Sequence, residues 1–238
     1  PNAYGQAEQE LLSTIADAVA VALENARLYA TEQRRAARLS DIMQLGIELA
    51  TQRNESTVLN TLVTRVTALA ASPACTVMMV DEASNAAVLA AQSGLPEGTP
   101  SGLRVPLTLP IIRQSLETGE PIIVPDIDRD APELRQLLVH PGVRAFFAYP
   151  MVREGRVLGF ITLSSLTPRT PSAEEVTAYR LLAERAAAAM ENARLFQSAE
   201  EARAALEAKV RDLERFTRLF AGRRHAGKFS PERGGFPT

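Results

Sequence analysis

Residues 144–163 read RAFFAYPMVREGRVLGFITL, which is two apolar runs on either side of a short polar turn. Each run is rich in aromatic or β-branched residues, as is typical of paired strands. Arg153, Glu154 and Gly155 lie between the runs and suit a tight turn. Because successive side chains of a strand point to opposite faces, Phe146 and Tyr149 belong to different faces. The stretch therefore predicts an antiparallel hairpin with an aromatic residue on each face.

Shorter predicted elements surround this hairpin. A helix is expected to begin at Asn54 or Ser56, which are both good N-caps, and to end before Pro73. Apolar runs and turn residues then predict strands at 74–80, 86–92, 104–107 and 121–125, helices at 108–118 and 131–139, and an acidic loop at 126–130. Ser172, followed by acidic residues, predicts the start of a last helix. This order predicts an α+β fold, in which an antiparallel sheet has flanking helices.

Two long helices are expected at the ends of the chain. Residues 6–52 contain no proline and only one glycine, and the last helix is expected to end at Gly222. Both helices carry small or apolar residues at alternating steps of three and four, which is the spacing of a coiled-coil seam. The principal predicted seam residues are Leu12, Ile15, Val19, Tyr29 and Met43 in the first helix and Phe196, Leu206, Val210, Leu213 and Phe220 in the last. This pattern predicts a homodimer through parallel helices, whereas residues 223–238 are expected to be a disordered tail.

A repeated segment predicts the domain boundaries. ENARLY at residues 24–29 recurs as ENARLF at 191–196, and alanines upstream of both copies match at the same offset. Chance similarity between alanine-rich helices is the alternative, but five consecutive identities favour a true repeat. We expect residues 1–37 to hold the last helix of a preceding domain of the same type and a linker, 38–196 one complete domain, and 197–222 a coiled-coil linker helix. Leu39, Ile42, Leu45 and Leu49 form a second apolar face of the first helix, which is expected to pack onto that domain.

The composition of the 238 residues excludes several classes of protein. A net charge of −2 and a pI near 5.9 provide no basic surface for nucleic acid or for an anionic membrane. The longest uncharged stretch, residues 66–80, is too short to span a bilayer. With one cysteine and two histidines, neither a disulfide framework nor a metal site is expected. We therefore expect residues 1–238 to be cytoplasmic, to have no nucleic-acid or membrane partner and not to be an enzyme themselves, and we expect any output enzyme to lie outside them.

Three segments together resemble the GAF domain, the sensory module of bacterial signalling proteins. They are EPIIVPDI at residues 120–127, the hairpin at 144–163 and AAMENARLF at 188–196. The resemblance implies an antiparallel sheet with the entry and exit helices on one face and a ligand pocket on the other, beneath residues 94–143. It also implies a parallel dimer and an output domain in the same polypeptide. Residues 213–220 resemble the linker that often precedes a histidine kinase, which makes such a kinase the expected output; a diguanylate cyclase or a phosphatase is the alternative.

The ligand candidates lie in or near the predicted pocket region. They are Arg113, Asp126, Asp128, Arg135, His140, Phe146 and Tyr149. The two arginines suit an anionic ligand, although helix arginines more often point to water. The aspartates suit helix capping better than calcium, because their loop lacks the glycine and distal glutamate of a calcium site. One of the two aromatic residues should face the pocket and the other the helices, and the histidine either lines the pocket or lies at the surface.

Residues that family members use for known ligands are missing here. Residues 130–143 contain no cysteine for a bilin, and Cys75 alone cannot replace the several cysteines of relatives that reduce methionine sulfoxide. Residues 164–170, SSLTPRT, lack the Lys and Phe of the pattern that marks cyclic-nucleotide binding. No cofactor or metal is expected, and the sequence does not identify the small-molecule ligand. The alternative to a sensor is a ligand-free dimerising spacer: a roomy polar cavity would indicate the sensor, and a cavity filled by side chains the spacer.

Overall fold

A six-stranded antiparallel sheet forms the centre of the domain. The structure is a computed structural model, and it describes residues 6–100, 102–138, 140 and 142–225, without the side chains of residues 6–11, 38 and 216–225. The strands are β1 (Cys75–Asp81), β2 (Ala86–Ser93), β3 (Arg104–Pro106), β4 (Ile122–Val124), β5 (Ala145–Arg153) and β6 (Arg156–Ser165). Their order across the sheet is β3-β2-β1-β6-β5-β4. The antiparallel sheet expected from the sequence is therefore confirmed.

Helices precede, interrupt and follow the strands. They are α1 (Gln6–Ala50), α2 (Glu55–Ala70), α3 (Pro110–Thr118), α4 (Ile127–Asp130) and α5 (Ala173–His225), with a 3₁₀ helix at Pro132–Gln136. The first and last are long, with 45 and 53 residues. In the part of the chain that is described, none of these helices has both the length and the apolar character needed to cross a membrane.

The hairpin at the centre of the sheet forms as predicted. Strands β5 and β6 pair from Ala145 with Ser165 to Arg153 with Arg156, so that Glu154 and Gly155 form a two-residue turn. Both turn residues have positive φ angles, 51° and 79°, which is the geometry of a turn that follows the twist of the strands. Positive φ at the second position favours glycine, because glycine has no Cβ to collide with the backbone.

The two predicted helix starts carry their expected caps. The Asn54 side chain accepts a hydrogen bond of 3.1 Å from the backbone N–H of Thr57 at the start of α2. At the start of α5, the Ser172 hydroxyl accepts from the N–H of Glu175, and the Glu175 carboxylate accepts from the N–H of Ser172. This reciprocal pair satisfies two backbone donors that the helix itself cannot.

The sheet separates two regions of core, because side chains alternate between its faces. On one face, α2 and the first part of α5 cover the sheet, and the second half of α1 packs against these two helices. Leu45, Leu49 and Leu182 are at most 1% exposed there. The second apolar face of α1 therefore packs as predicted, with Leu39 half-buried at its edge. On the other face, α3, α4 and the 3₁₀ helix cover Ala148 and Phe160.

Three elements differ from the prediction. The stretch 126–130 is not a loop but begins α4, because the Asp126 side chain accepts from the N–H of Asp128 and caps a short helix. The helix expected at 131–139 is a 3₁₀ helix over Pro132–Gln136. Helix α5 continues past Gly222 to His225, since a single glycine costs a helix only about 1 kcal/mol relative to alanine. The tail expected at 223–238 thus begins within a helix, and residues 226–238 lie outside the described residues.

Candidate ligand site

A cavity of about 120 Å³ lies on the face of the sheet opposite the long helices. Its floor consists of side chains from the central strands, among them Thr76, Met78, Phe146, Ala148, Phe160 and Thr162. Its roof comes from the loop before β3, from α3 and from the region around the 3₁₀ helix, and includes Leu95, Leu103, Ile112, Leu137 and His140. The pocket therefore lies where the resemblance implied, beneath residues 94–143.

An irregularity in β2 shapes one wall of this cavity. Val77 pairs with Ala91 and Met78 pairs with Leu89, which leaves Ala90 as a bulge. An extra residue in one strand changes which later side chains point to which face. As a result Leu89 lines the cavity, while Ala91, only two residues away, belongs to the core beneath the long helices.

The polar groups of the cavity are gathered along β1 and β6. The hydroxyls of Thr76 and Thr162 are 2.6 Å apart and share one hydrogen bond. Beside them, the Ser164 hydroxyl donates to the carbonyl of Ala74 over 3.3 Å. His140 is half-buried and also lines the cavity. Among the described residues that line it, none is Asp, Glu, Lys or Arg.

Charged side chains near the 3₁₀ helix pair with one another instead of facing the cavity. Arg135 bonds to the carboxylate of Asp128 and donates to the carbonyl of Val143 over 2.5 Å. Arg144 donates to both carboxylate oxygens of Asp126 over 3.2 Å, and its Nε lies 3.2 Å from Asp128. The hydrogen bond from Arg135 lowers the pKa of Asp128, so that this carboxyl stays ionised. These pairs tie α4 and the 3₁₀ helix to the start of β5.

The structure divides the seven predicted ligand residues into two groups. His140 and Phe146 line the cavity. The others do not: Arg113 is exposed on α3, and Asp126, Asp128 and Arg135 form the ion pairs just described. Local pairing of opposite charges, which depends on the fold, is the reason that Asp126, Asp128 and Arg135 turn away from the apolar space.

Tyr149 is the seventh candidate, and it lies on the opposite face of the sheet. It is 1% exposed and packs against Tyr179 of α5, with ring centroids 5.3 Å apart. Burial raises the pKa of its hydroxyl above the usual range. The expectation that one aromatic residue faces the pocket and the other the helices is confirmed, with Phe146 in the pocket and Tyr149 beneath the helices.

The threonine pair and most of the apolar floor were not predicted from the sequence. One signal was present in the sequence: Thr76 and Thr162 are the polar residues of two apolar runs, residues 74–80 and 157–163. Their meeting depends on the register of β1 against β6, which joins residues 86 positions apart.

Cys75 lies outside the cavity. It is fully buried in the core beneath the long helices, and burial raises its pKa to about 12. Its thiol is therefore protonated and shielded. Within the described ranges, no group of three or more His, Cys, Asp or Glu side chains is arranged to hold a metal ion.

The predicted seam residues are largely at the surface of the single chain. The nine whose side chains are described are between 41% and 67% exposed: Leu12, Ile15, Val19, Tyr29, Met43, Phe196, Leu206, Val210 and Leu213. The side chain of Phe220 lies outside the description. The parallel dimer stays a prediction.

The cavity, the two-faced sheet and the long helices together define a domain of the GAF type. A sequence profile described as "GAF domain" matches residues 52–191, which is more than half of the chain. The chain therefore belongs to the GAF domain family. GAF domains are sensory and regulatory modules found in signalling proteins, where they often occur beside output domains.

Solved structures agree with this assignment. The GAF domain of a phosphoenolpyruvate-protein phosphotransferase from Coxiella burnetii is 24% identical, with a TM-score of 0.58, and the match covers 68% of this chain and 96% of that one. Free methionine-R-sulfoxide reductase from Neisseria meningitidis, solved with its substrate, is 18% identical, with a TM-score of 0.59, over 67% of this chain and 92% of that one. The bacteriophytochrome RpBphP3 from R. palustris is 19% identical, with a TM-score of 0.54, over 72% of this chain and 40% of that one.

Identities this low establish the fold alone. The similar structures include an enzyme as well as regulatory domains, so the fold itself does not decide between catalysis and regulation. No curated protein is similar enough to this chain to count as a match.

Proposed function

We propose that this chain is a cytoplasmic sensory module in which the cavity controls an output domain of the same polypeptide through the long helices. The observation that carries the proposal is the continuity of α5. One helix of 53 residues begins over the sheet, where Leu182 is 1% exposed, and continues to the exposed Leu206 and Leu213. A histidine kinase is the proposed output, with a diguanylate cyclase or a phosphatase as the alternative.

Strand β5 connects the cavity with α5. Its residues Phe146 and Ala148 line the cavity, while Phe147 and Tyr149 point into the core beneath the helices. Tyr149 packs on Tyr179 of α5. A ligand that binds one position of β5 better than another would therefore shift the position of α5, and only such a difference in affinity transmits a signal.

A second link joins the β5–β6 hairpin to α5. The Nε of Arg153 donates to the Glu191 carboxylate over 2.5 Å, at the place where α5 leaves the sheet. Beyond this point, residues 197–215 are exposed. We assign residues 197–222 to a coiled-coil linker that pairs with the same segment of a second chain, in parallel.

We propose a regulatory and not a catalytic role for the domain. Methionine sulfoxide reduction is the activity of one similar structure. Thiol chemistry in this chain would depend on Cys75, which is buried on the other side of the sheet from the cavity.

A dimerising spacer is the second candidate function. The observation that favours it is that the cavity, at about 120 Å³ and with no Asp, Glu, Lys or Arg among its described lining residues, is not the roomy polar cavity expected of a sensor, although side chains do not fill it. In a spacer the long helices alone would carry the function, and ligands would leave α5 unchanged.

The experiment for the dimer is a pair of substitutions in the exposed part of α5. Leu206→Asp with Leu213→Asp places charges in the proposed seam, and we expect dimerisation to weaken by at least about tenfold in sedimentation velocity. Ala204→Asp is the control, since residue 204 lies away from the stripe formed by 206, 210 and 213. An unchanged sedimentation coefficient in the double variant, or an equal loss in the control, contradicts the parallel dimer.

A further inference from the structure

The size of the cavity restricts its ligand. An apolar cavity of about 150 Å³ in another protein accepts benzene, whereas pockets for larger ligands measure roughly 300–1,000 Å³. The cavity here is about 120 Å³. It therefore suits a single small ring or a short branched chain, and it is too small for a nucleotide or a tetrapyrrole.

The charge around the cavity restricts the ligand further. No Asp, Glu, Lys or Arg is among the described lining residues. The nearby cations Arg135 and Arg144 are already paired with Asp128 and Asp126. His140 is the one described lining side chain that can carry a positive charge, and a carboxylate or phosphate placed among Met78, Ile112 and Phe160 would lose its hydration against apolar groups, which is strongly unfavourable. The ligand is therefore uncharged.

The threonine pair provides one polar contact. Two hydroxyls carry two protons, and the 2.6 Å hydrogen bond between Thr76 and Thr162 uses one of them. The second proton can be donated to an oxygen of the ligand, and the remaining lone pairs can accept a hydroxyl proton. The Ser164 hydroxyl, which donates to the Ala74 carbonyl, adds a further acceptor beside them.

We propose that the cavity binds an uncharged, mainly apolar molecule of about the size of phenol, whose single hydroxyl or carbonyl group contacts Thr76 and Thr162. This inference rests on the proposed sensory function and names the chemical class of its ligand. The apolar part of the molecule lies against Phe160, Ile112 and the neighbouring side chains, and burial of that part supplies most of the affinity.

The test uses phenol, benzene and benzoate as probes of the full chain, with ligand-observed NMR at neutral pH. We expect phenol to bind saturably, with a dissociation constant of about 1 mM or lower. Benzene, which lacks the polar group, should bind more weakly, and benzoate, which is charged, should not bind. Equal affinity for phenol and benzoate, or no saturable phenol binding, overturns the proposal.

Two variants locate the binding. Ala148→Leu fills the floor of the cavity and should abolish binding of phenol and of benzene. Thr162→Val removes one hydroxyl at nearly constant shape, and we expect phenol affinity to fall roughly two- to tenfold while benzene affinity is retained. Thr64→Val, at an exposed position of α2, is the matched control and should change neither. If Ala148→Leu does not fold, Thr162→Val still tests the proposal. An unchanged affinity for phenol in this variant contradicts the polar contact with Thr162.

Amide hydrogen exchange in α5, measured with and without phenol, tests the ligand class and the sensory function separately. Slower or faster exchange in α5 on binding supports both. Binding that leaves α5 exchange unchanged contradicts the relay and supports the ligand class. Loss of the dimer in the Leu206 and Leu213 variant, with phenol binding retained, supports the ligand class independently of the helices.

Discussion

The two copies of the repeated helix segment have similar sequences and different surroundings. In α5, upstream of residues 191–196, Leu182 and Ala186 are at most 1% exposed because the sheet lies beneath them. Their counterparts 167 positions earlier in α1 are Ile15 and Val19, which are 50% and 52% exposed. Burial of this repeated segment is therefore decided by whether the folded domain lies against it and not by the residues of the helix.

The same comparison changes how the first half of α1 is interpreted. Leu12, Ile15 and Val19 were predicted as seam residues, but they occupy the positions of Tyr179, Leu182 and Ala186, which pack on a sheet. We infer that this face of α1 is suited to the sheet of a preceding GAF-like domain, as the repeat predicts for residues 1–37. The segment 206–213 lies beyond the sheet, so the dimer is best tested there.

The largest expected effect is a difference in the free energy of unfolding between Leu182→Ala and Ile15→Ala. Both variants truncate an apolar side chain to alanine, at matched positions of the repeat. Leu182→Ala leaves a cavity in the core and should lower the free energy of unfolding by about 2–5 kcal/mol. Ile15→Ala should change it by less than about 0.5 kcal/mol, because its side chain is half exposed. Urea unfolding followed by circular dichroism measures both.

Repeating these measurements over a range of protein concentrations separates the two interpretations of α1. A loss for Ile15→Ala that grows with protein concentration and disappears on dilution would support the coiled-coil seam at this position, because a contact made only in the dimer stabilises the chain only while the dimer is populated. Equal losses for the two variants at every concentration would contradict the structural difference between the copies.

The next largest effect is expected at a second matched pair of positions, Ala183 and Ala16, where a larger side chain tests how closely each helix is packed. Ala183 of α5 is completely buried in the core that includes the long helices, and Ala183→Leu should cost about 1–3 kcal/mol because this close-packed core leaves no room for the larger side chain. Ala16→Leu, at the equivalent exposed position, should be close to neutral. Thermal unfolding gives the comparison, and a stability loss at Ala16 as large as that at Ala183 would show that α1 is also covered.

The smallest effect uses Cys75 as a reporter of the covered sheet. Its pKa is raised from 9.0 to about 12 in the folded chain. The contribution to stability is thus present below pH 9 and is lost as the pH rises towards 12, by about 1 kcal/mol at pH 10. The free energy of unfolding of the native chain should fall more steeply between pH 8 and pH 10 than that of Cys75→Ala. Parallel pH profiles would show that the thiol is accessible to solvent.

Much of the fold follows from local sequence. The hairpin at 144–163, the cap at Asn54 and the buried stripe through Ile42, Leu45 and Leu49 each depend on residues close together in the chain, and each is confirmed. The prediction of a loop at 126–130 was wrong, because the side chain of Asp126 caps a short helix there.

The site was predicted less completely. Phe146 and His140 line the cavity as expected, whereas the charged candidates do not. The pairing of Asp126 with Arg144 joins residues 18 positions apart, and that of Thr76 with Thr162 joins residues 86 positions apart. Such pairs depend on strand register and on the packing of loops, which local periodicity does not specify.

The sequence by itself determined the α+β order of elements and the extent of the two outer helices to within a few residues, because propensity, capping and hydrophobic periodicity act over a few residues. The family followed from the resemblance of three segments to GAF domains. Only the tertiary structure decided which face of β5 meets the cavity, which charges neutralise one another, and which copy of the repeated helix is buried. These outcomes depend on contacts between distant segments. A side chain loses its water only where another surface takes the place of that water.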